Sequence, residues 1–290
     1  MAEEFDESFE SIGIDEDRRG VLYFTISEIE PRVWITLTGC NFRCRGCFSA
    51  ARVAGGVVMS AEETLEKLKI ACTKYYGFVP KEVLITGGEP TISKKYLLNL
   101  ITLSNEMGFK NVVLCTNGYE IGVDATYGED LAAAGLSEAQ LDIKAYDTQS
   151  HLRYTGKSNA PVLKAAKNLI DAGIDLIVQT VYIPEIVEED EISKIASFLA
   201  GINPEIRYRI NQFEPRFSHE KIARSPTEEE VMAAYEAAFK HLPNTITSMS
   251  CRRDFTKEPR RGKWVTVYPD LSFKRRGVEE YARERLRMVH

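Results

Sequence analysis

Val33-Trp34-Ile35-Thr36-Leu37-Thr38-Gly39-Cys40-Asn41-Phe42-Arg43-Cys44-Arg45-Gly46-Cys47 runs from a β-branched apolar segment straight into three cysteines spaced C-x3-C-x2-C. The apolar part reads as a buried strand, and the thiols then fall in one tight loop. Thiolates hold iron–sulfur clusters, and a complete [4Fe–4S] site takes four ligands. Three in one loop leave one iron open to a small molecule. Zinc and plain thiols are the competing readings. A zinc site normally pairs two short Cys/His motifs, but the next cysteine is Cys72 and no His-x3-5-His follows. A disulfide framework suits a short secreted chain, whereas this one has 290 residues, six cysteines and no secretory signal.

On either side of this loop, strands and helices alternate. Ser60 to about Tyr76 reads as a helix, with Ser60 and Glu63 placed as in a capping box. Glu82 to Thr86 is the next strand and ends at Gly87-Gly88-Glu89-Pro90. Helices are expected at Lys95 to Met107, Glu129 to Ala134, Ala160 to Ala172 (stopped by Gly173) and Asp190 to Ala200. Strands are expected at Asn111 to Cys115, Ala139 to Ile143, Ile174 to Ile183 and Glu205 to Asn211. Six strands alternating with helices predict an α/β fold with a parallel sheet, curled in one sense by right-handed crossovers. This rhythm ends near Asn211. A helix over Thr227 to His241, a strand over Lys263 to Tyr268 and a charged helix over Gly277 to Arg287 follow. Residues 1–20 are expected to form an acidic, mobile N-terminus and residues 21–225 a partial (β/α)6 barrel of the TIM type. Residues 226–290 are expected to be a basic α+β extension packed on that barrel.

Composition narrows the setting. Hydrophobic residues make up 44% of the chain, enough for a sizeable core. No apolar run is long enough to span a membrane, and the acidic start fits neither a signal nor a transit peptide. A reduced, cytoplasmic location is therefore expected, which suits an oxygen-sensitive cluster. The net charge of −6 hides a division, because residues 251–290 carry twelve Lys/Arg and six Asp/Glu. That basic segment reads either as a surface for nucleic acid or an acidic partner, or as a solvated tail paired with the acidic body.

Polar and small residues collect at successive strand ends: the cysteines, Gly87-Gly88-Glu89-Pro90, Cys115-Thr116-Asn117-Gly118, Asp142-Ile143-Lys144, Gln179 and Gln212. In parallel barrels, functional groups gather on that face. The cysteine motif together with Gly-Gly-Glu-Pro at the end of the second strand resembles the radical S-adenosylmethionine (radical SAM) superfamily. Leu141-Asp142-Ile143-Lys144, followed by His151 and Thr155-Gly156, resembles its glycyl-radical-enzyme activating group, of which pyruvate formate-lyase activating enzyme is the familiar member.

The resemblance implies a [4Fe–4S] cluster on Cys40, Cys44 and Cys47, with SAM chelated to the open iron. It implies that Gly87, Gly88 and Glu89 line the SAM amino group, and that Asn117, Asp142 and Lys144 contact SAM. It also implies that backbone at Gly46 and Phe48 contributes to an adenine pocket. An arginine and a SAM-contacting histidine of the group correspond to Gln179 and Gln212, which are therefore expected among the cofactor-binding residues. Other departures are Glu30-Pro31-Arg32 near the place of the group's Asp-Gly-Pro-Gly-Ile-Arg stretch, Gly46 in place of an aromatic, and Cys115 in place of an aspartate. No cysteine-rich ferredoxin insert lies between Cys47 and Gly87. The activity implied is reductive SAM cleavage to a 5′-deoxyadenosyl radical that takes hydrogen from a macromolecule. An electron donor of ferredoxin or flavodoxin type would drive it. A protein substrate is expected, with tRNA modification or a non-catalytic iron–sulfur role as alternatives. Catalytic side chains and oligomeric state are not specified by these motifs. His219 and Tyr182 are candidate substrate contacts, and Trp34 and Trp264 are expected in the core.

Overall fold

A computed structural model describes residues 16–248 and 264–275. The chain enters on β1 (Arg18–Ser27) and turns back antiparallel into β2 (Arg32–Leu37). After the cysteine loop, β3 (Val57–Ser60) returns to pair with the start of β1. The alternation follows as α1 (Ala61–Tyr76), β4 (Glu82–Gly87), α2 (Lys94–Met107), β5 (Asn111–Thr116), α3 (Tyr119–Val123) and α4 (Tyr127–Ala133). It continues through β6 (Glu138–Asp142), α5 (Thr148–Thr155), α6 (Ala160–Asp171), β7 (Asp175–Tyr182), α7 (Glu189–Ile202) and β8 (Arg207–Gln212). Then come α8 (Glu228–Phe239), β9 (Thr245–Thr247), β10 (Trp264–Val267) and β11 (Phe273–Arg275).

These strands form one sheet in the order β11-β10-β1-β2-β4-β5-β6-β7-β8-β9. The run from β2 to β9 is parallel throughout. Among the described residues its two edges do not meet, so the architecture is the open, partial barrel expected. Several details differ from the sequence reading. β1 begins at Arg18, inside the stretch expected to be mobile. α8 and β9 add one more helix–strand unit beyond residue 225, so this part of the expected appendage continues the parallel sheet. The β10–β11 hairpin caps the opposite edge by pairing antiparallel with β1. Trp264, expected in the core, is 38% exposed there. The helix expected over Gly277 to Arg287 lies outside the described residues.

Each central strand separates two environments. Leu141 on β6 and Ala165 on α6 both approach Gly118, which fixes the helix-packed face of the sheet. The residues alternating with this set point the other way. They include Cys115, Gln140, Asp142, Gln179, Arg209 and Asn211, all half-buried and polar. The apolar set drives burial beneath the helices, and the polar set faces the interior of the half-barrel. Helix starts follow local chemistry. Ser60 and Glu63, and Thr227 and Glu230, both form complete capping boxes.

Helices α3 and α6 pack closely because Gly122 has no side chain: a Cβ there would stand 1.7 Å from the Pro161 carbonyl oxygen. Gly122→Ala is expected to destabilise the fold by about 3 kcal/mol in urea denaturation. Gly201→Ala is the control, because a Cβ there meets nothing within 4 Å. It should be neutral or stabilise by up to about 1 kcal/mol.

Candidate active site

The cysteine loop leaves β2 and is bound to its surroundings mainly through backbone. Gly88 N–H donates to Leu37 O (2.9 Å) and Glu89 N–H to Gly39 O (2.8 Å). Ser49 Oγ donates to Gly87 O (2.7 Å). The glycines are required by this crossing. A Cβ at Gly87 would lie 2.0 Å from Leu37 O, and one at Gly88 would lie 2.1 Å from Gly39 O. Their bareness first admits the chain's own loop, a closer partner than the ligand expected from the motif.

Glu89 shows why this crossing is rigid. Its side chain is 1% exposed, and the carboxylate accepts from Thr91 N (3.0 Å), Thr91 Oγ1 (2.7 Å), Thr116 Oγ1 (2.6 Å) and Asn117 N (2.7 Å). Four donors inside the fold thus engage both carboxylate oxygens. Burial raises the Glu89 pKa, with the four donors opposing. Arg19, 3% exposed, closes the knot by donating to Thr38 O (2.6 Å), Glu89 O (3.3 Å) and Pro90 O (3.4 Å).

The far side of the loop rests on α5 and on the segment after β8. Arg43 N–H donates to Thr155 O (2.8 Å) and Arg45 N–H to Tyr154 O (3.1 Å), both near the C-terminal end of α5. His219 N–H donates to Cys47 O (3.1 Å), and its Nε2 lies 2.9 Å from Ser49 O. His219 thus clamps the loop, a role no local motif could reveal across a separation of 170 residues. Tyr182, the other candidate contact, is buried at the end of β7.

Around the thiols, Cys40 Sγ accepts from Phe42 N (3.4 Å) and Cys47 Sγ from Ser49 N (3.3 Å). Asn117 Nδ2 reaches Asn41 Oδ1 (2.8 Å) and Cys40 Sγ (3.9 Å), which brings the third strand end to the first cysteine. Asp142 and Lys144 pair at 3.2 Å. Burial opposes the Lys144 ammonium, yet Asp142 and the nearby Cys44 outweigh it and raise its pKa. Burial pushes the Cys44 thiol up to about 12, with Lys144 pulling it back.

Gly46 is enclosed. A Cβ would stand 2.8 Å from Ile222 Cδ1 and 3.1 Å from both the Phe213 ring and Tyr154 Oη. The aromatic that resembling proteins carry at this place is thus excluded, and Phe213, stacked on Phe48 with centroids 5.7 Å apart, fills the space instead. Gln179 stands opposite Asp142 in register and bonds to Gln140 and Asn211. Gln212 is held through its N–H by Ser248 Oγ (3.2 Å) at the end of β8.

Three free thiols on one loop suit a [4Fe–4S] cube, which takes one thiolate to each of three irons. Backbone N–H groups directed at sulfur and a nearby ammonium suit the negative charge of such a site. Cys72 is buried on α1, and Cys115 faces the interior from β5, so neither belongs to the loop. Cys251 lies outside the described residues.

Glu89→Leu should cost on the order of 3 kcal/mol or more, because it strands buried donors. Chemical denaturation and iron content would both fall if the knot holds the loop. A second expectation concerns His151, fully buried against Phe42, with Nδ1 on Lys157 O (2.7 Å) and Nε2 unpartnered. Burial, aided by Lys144, lowers its pKa, against the Lys157 carbonyl. The unfolded chain therefore binds the proton first. Stability should decline as pH falls below about 6.5, and His151→Gln should flatten that decline in pH-dependent urea titrations.

Residues 34–199 match the radical SAM superfamily. A Methanocaldococcus jannaschii protein, provisionally named a glycyl-radical enzyme activating enzyme, is 32% identical over 242 residues, covering 82% of this chain and 87% of the relative. Among solved structures, Streptococcus suis SuiB bound to S-adenosylmethionine superposes with a TM-score of 0.59 at 19% identity. That match covers 72% of this chain and 48% of SuiB, so the chain spans about half the length of that protein. A domain of pyruvate-formate lyase-activating enzyme from Bacteroides vulgatus gives a TM-score of 0.50 at 15% identity, covering 57% of this chain and 98% of the domain. The last two likenesses concern the fold. The superfamily match, joined to a relative aligned over most of both chains, places this protein in the radical SAM superfamily, among enzymes that use a [4Fe–4S] cluster and SAM.

Proposed function

We propose that this radical SAM enzyme acts on a protein or peptide segment, as an activating enzyme does. The observation that carries the reading is the three-thiol loop, bound by backbone to the end of β4, the end of α5 and the segment after β8, at the head of an open half-barrel. The named activity of the M. jannaschii relative supports it, as does the peptide-bound form of SuiB among the fold neighbours.

In this reading Cys40, Cys44 and Cys47 ligate the cluster. When bound, cluster and SAM together supply, on reduction, a 5′-deoxyadenosyl radical able to remove a hydrogen atom. The protein supplies position. Backbone at Gly46, Phe48, Gly87 and Gly88 shapes the SAM site. Asn117 holds the first cysteine, and Asp142 with Lys144 presents a fixed pair of charges beside Cys44. Gln179 and Gln212 complete the rim as neutral groups, so polar contact to SAM there is by hydrogen bond without charge. Phe48, backed by Phe213, gives an apolar wall that excludes water from one side. An external reductant of ferredoxin or flavodoxin type delivers the electron, and the setting is cytoplasmic. No helix among the described residues is long and apolar enough to cross a membrane. The basic run that would favour tRNA lies mostly outside the described residues, and no observation on the described ones favours that second reading.

Anaerobic reconstitution with iron and sulfide, followed by dithionite and SAM, tests the proposal. Wild type should release 5′-deoxyadenosine and methionine, with release accelerated by a protein substrate and not by tRNA. Cys44→Ala should lose the visible iron–sulfur absorption and the product while keeping the fold, because the sheet does not depend on one thiol. A Cys44 variant that keeps cluster and activity would sink the assignment. Acceleration by tRNA alone would move the substrate to nucleic acid.

A further inference from the structure

The charges on the interior face of the half-barrel can be followed one by one. Asp142 is paired with Lys144 at 3.2 Å. Glu138 and Asp175 both pair with Arg207, at 3.0 Å and 2.6 Å. Arg209 stands apart. It lies on β8 opposite Gln179 in register. Its Nε is buried and has no hydrogen-bond partner, and no ion pair to it occurs among the described residues. Beside it runs a row of side chains that satisfy one another. Asn211 Nδ2 donates to Gln179 Oε1 (3.1 Å), and Gln179 Nε2 donates to Gln140 Oε1 (2.9 Å). Cys115 Sγ approaches the same Gln140 oxygen at 3.7 Å, and Gln140 Nε2 turns away to Glu138 (2.9 Å). The row is neutral, so it does not balance the charge of the guanidinium. A buried N–H without an acceptor is destabilising, and a guanidinium is the side chain best shaped to grip a carboxylate in two-pronged fashion.

We infer that Arg209 receives a carboxylate of the substrate and so fixes how a protein segment enters the half-barrel. This rests on the protein-substrate reading above and adds the chemical group that the segment must present. Register places Arg209 level with Gln179 and with Asp142, the last residue of β6, so a group that reaches it lies alongside the Asp142–Lys144 pair. A protein segment brings carboxylates to that level from acidic side chains or a chain terminus.

Thermal unfolding of the reconstituted, SAM-loaded full chain in glutarate tests this, with ionic strength held constant by sodium chloride. Wild type should melt about 2–4 °C higher at tenfold saturation. Arg209→Met should melt no lower than wild type without glutarate and should not respond to it. Two short peptides locate the source of the carboxylate. Stabilisation by acetyl-Ala-Ala-Glu-amide assigns it to an acidic side chain, and stabilisation by acetyl-Ala-Ala-Ala with a free terminus assigns it to a chain end. Three results would overturn the inference: no response in wild type, equal responses in both proteins, or a clear loss of stability in Arg209→Met, which would make the guanidinium a structural prop. Stabilisation of wild type by inorganic phosphate but not by glutarate would overturn it in favour of a phosphate-bearing substrate. No turnover is read, so 5′-deoxyadenosine release tests the enzymatic reading independently of this one.

Discussion

One buried carboxylate holds the head of this molecule together. Glu89 accepts four hydrogen bonds from residues on two strand ends, while its own backbone N–H holds Gly39 beside the first cysteine. A charge so deeply buried survives only if its lone pairs are filled, so the loops after β4 and β5 have little freedom to separate. Arg19 adds three carbonyl contacts from β1. The glycines at 87 and 88 then let the loop backbone cross at a distance no side chain would permit. A three-cysteine loop on its own would be floppy, and a cluster with one open iron demands a fixed approach. The framework meets that demand through backbone contacts, which leaves the thiols free for iron.

The same sheet serves two purposes through the two-residue period of its strands. One face is apolar and fully buried beneath helices, and this accounts for stability. The other is mixed: between Val113, Ile177 and Val181 it carries the half-buried polar groups Gln140, Asp142, Gln179, Arg209 and Asn211, a poor choice for a core and a sensible one for a chamber that must receive something. Four of the departures from the resembling group fall on this second face or in the loop at its head. Gly46, Cys115, Gln179 and Gln212 are neutral or small where the group carries aromatic or charged residues. Phe213 restores the lost aromatic bulk from a different part of the chain.

Much of this was legible in residue order, because it depends on local pattern. The strand before the cysteines, the six parallel strands and the capping residues Ser60 and Thr227 follow from period and hydrogen-bonding type alone. Other features were hidden for physical reasons. Arg18 and Arg19 look like solvated charges, yet they open β1, where Arg19 donates to Thr38 O after β2 and to Glu89 O and Pro90 O after β4. The donors to Glu89 from Thr116 and Asn117 come from another strand end, which residue order does not show. The clamp by His219 depends on a contact between residues remote in sequence, and β9 has three residues, too few for any alternation to show.

Electron paramagnetic resonance of the dithionite-reduced, reconstituted protein, recorded before and after SAM is added, probes the open iron itself. If three cysteines leave one iron open at the head of the half-barrel, the reduced cluster should give a signal whose g-values shift when SAM binds, and Cys44→Ala should give none. A cluster signal that SAM leaves unchanged would mean that the open coordination position, on which the proposed chemistry depends, does not exist.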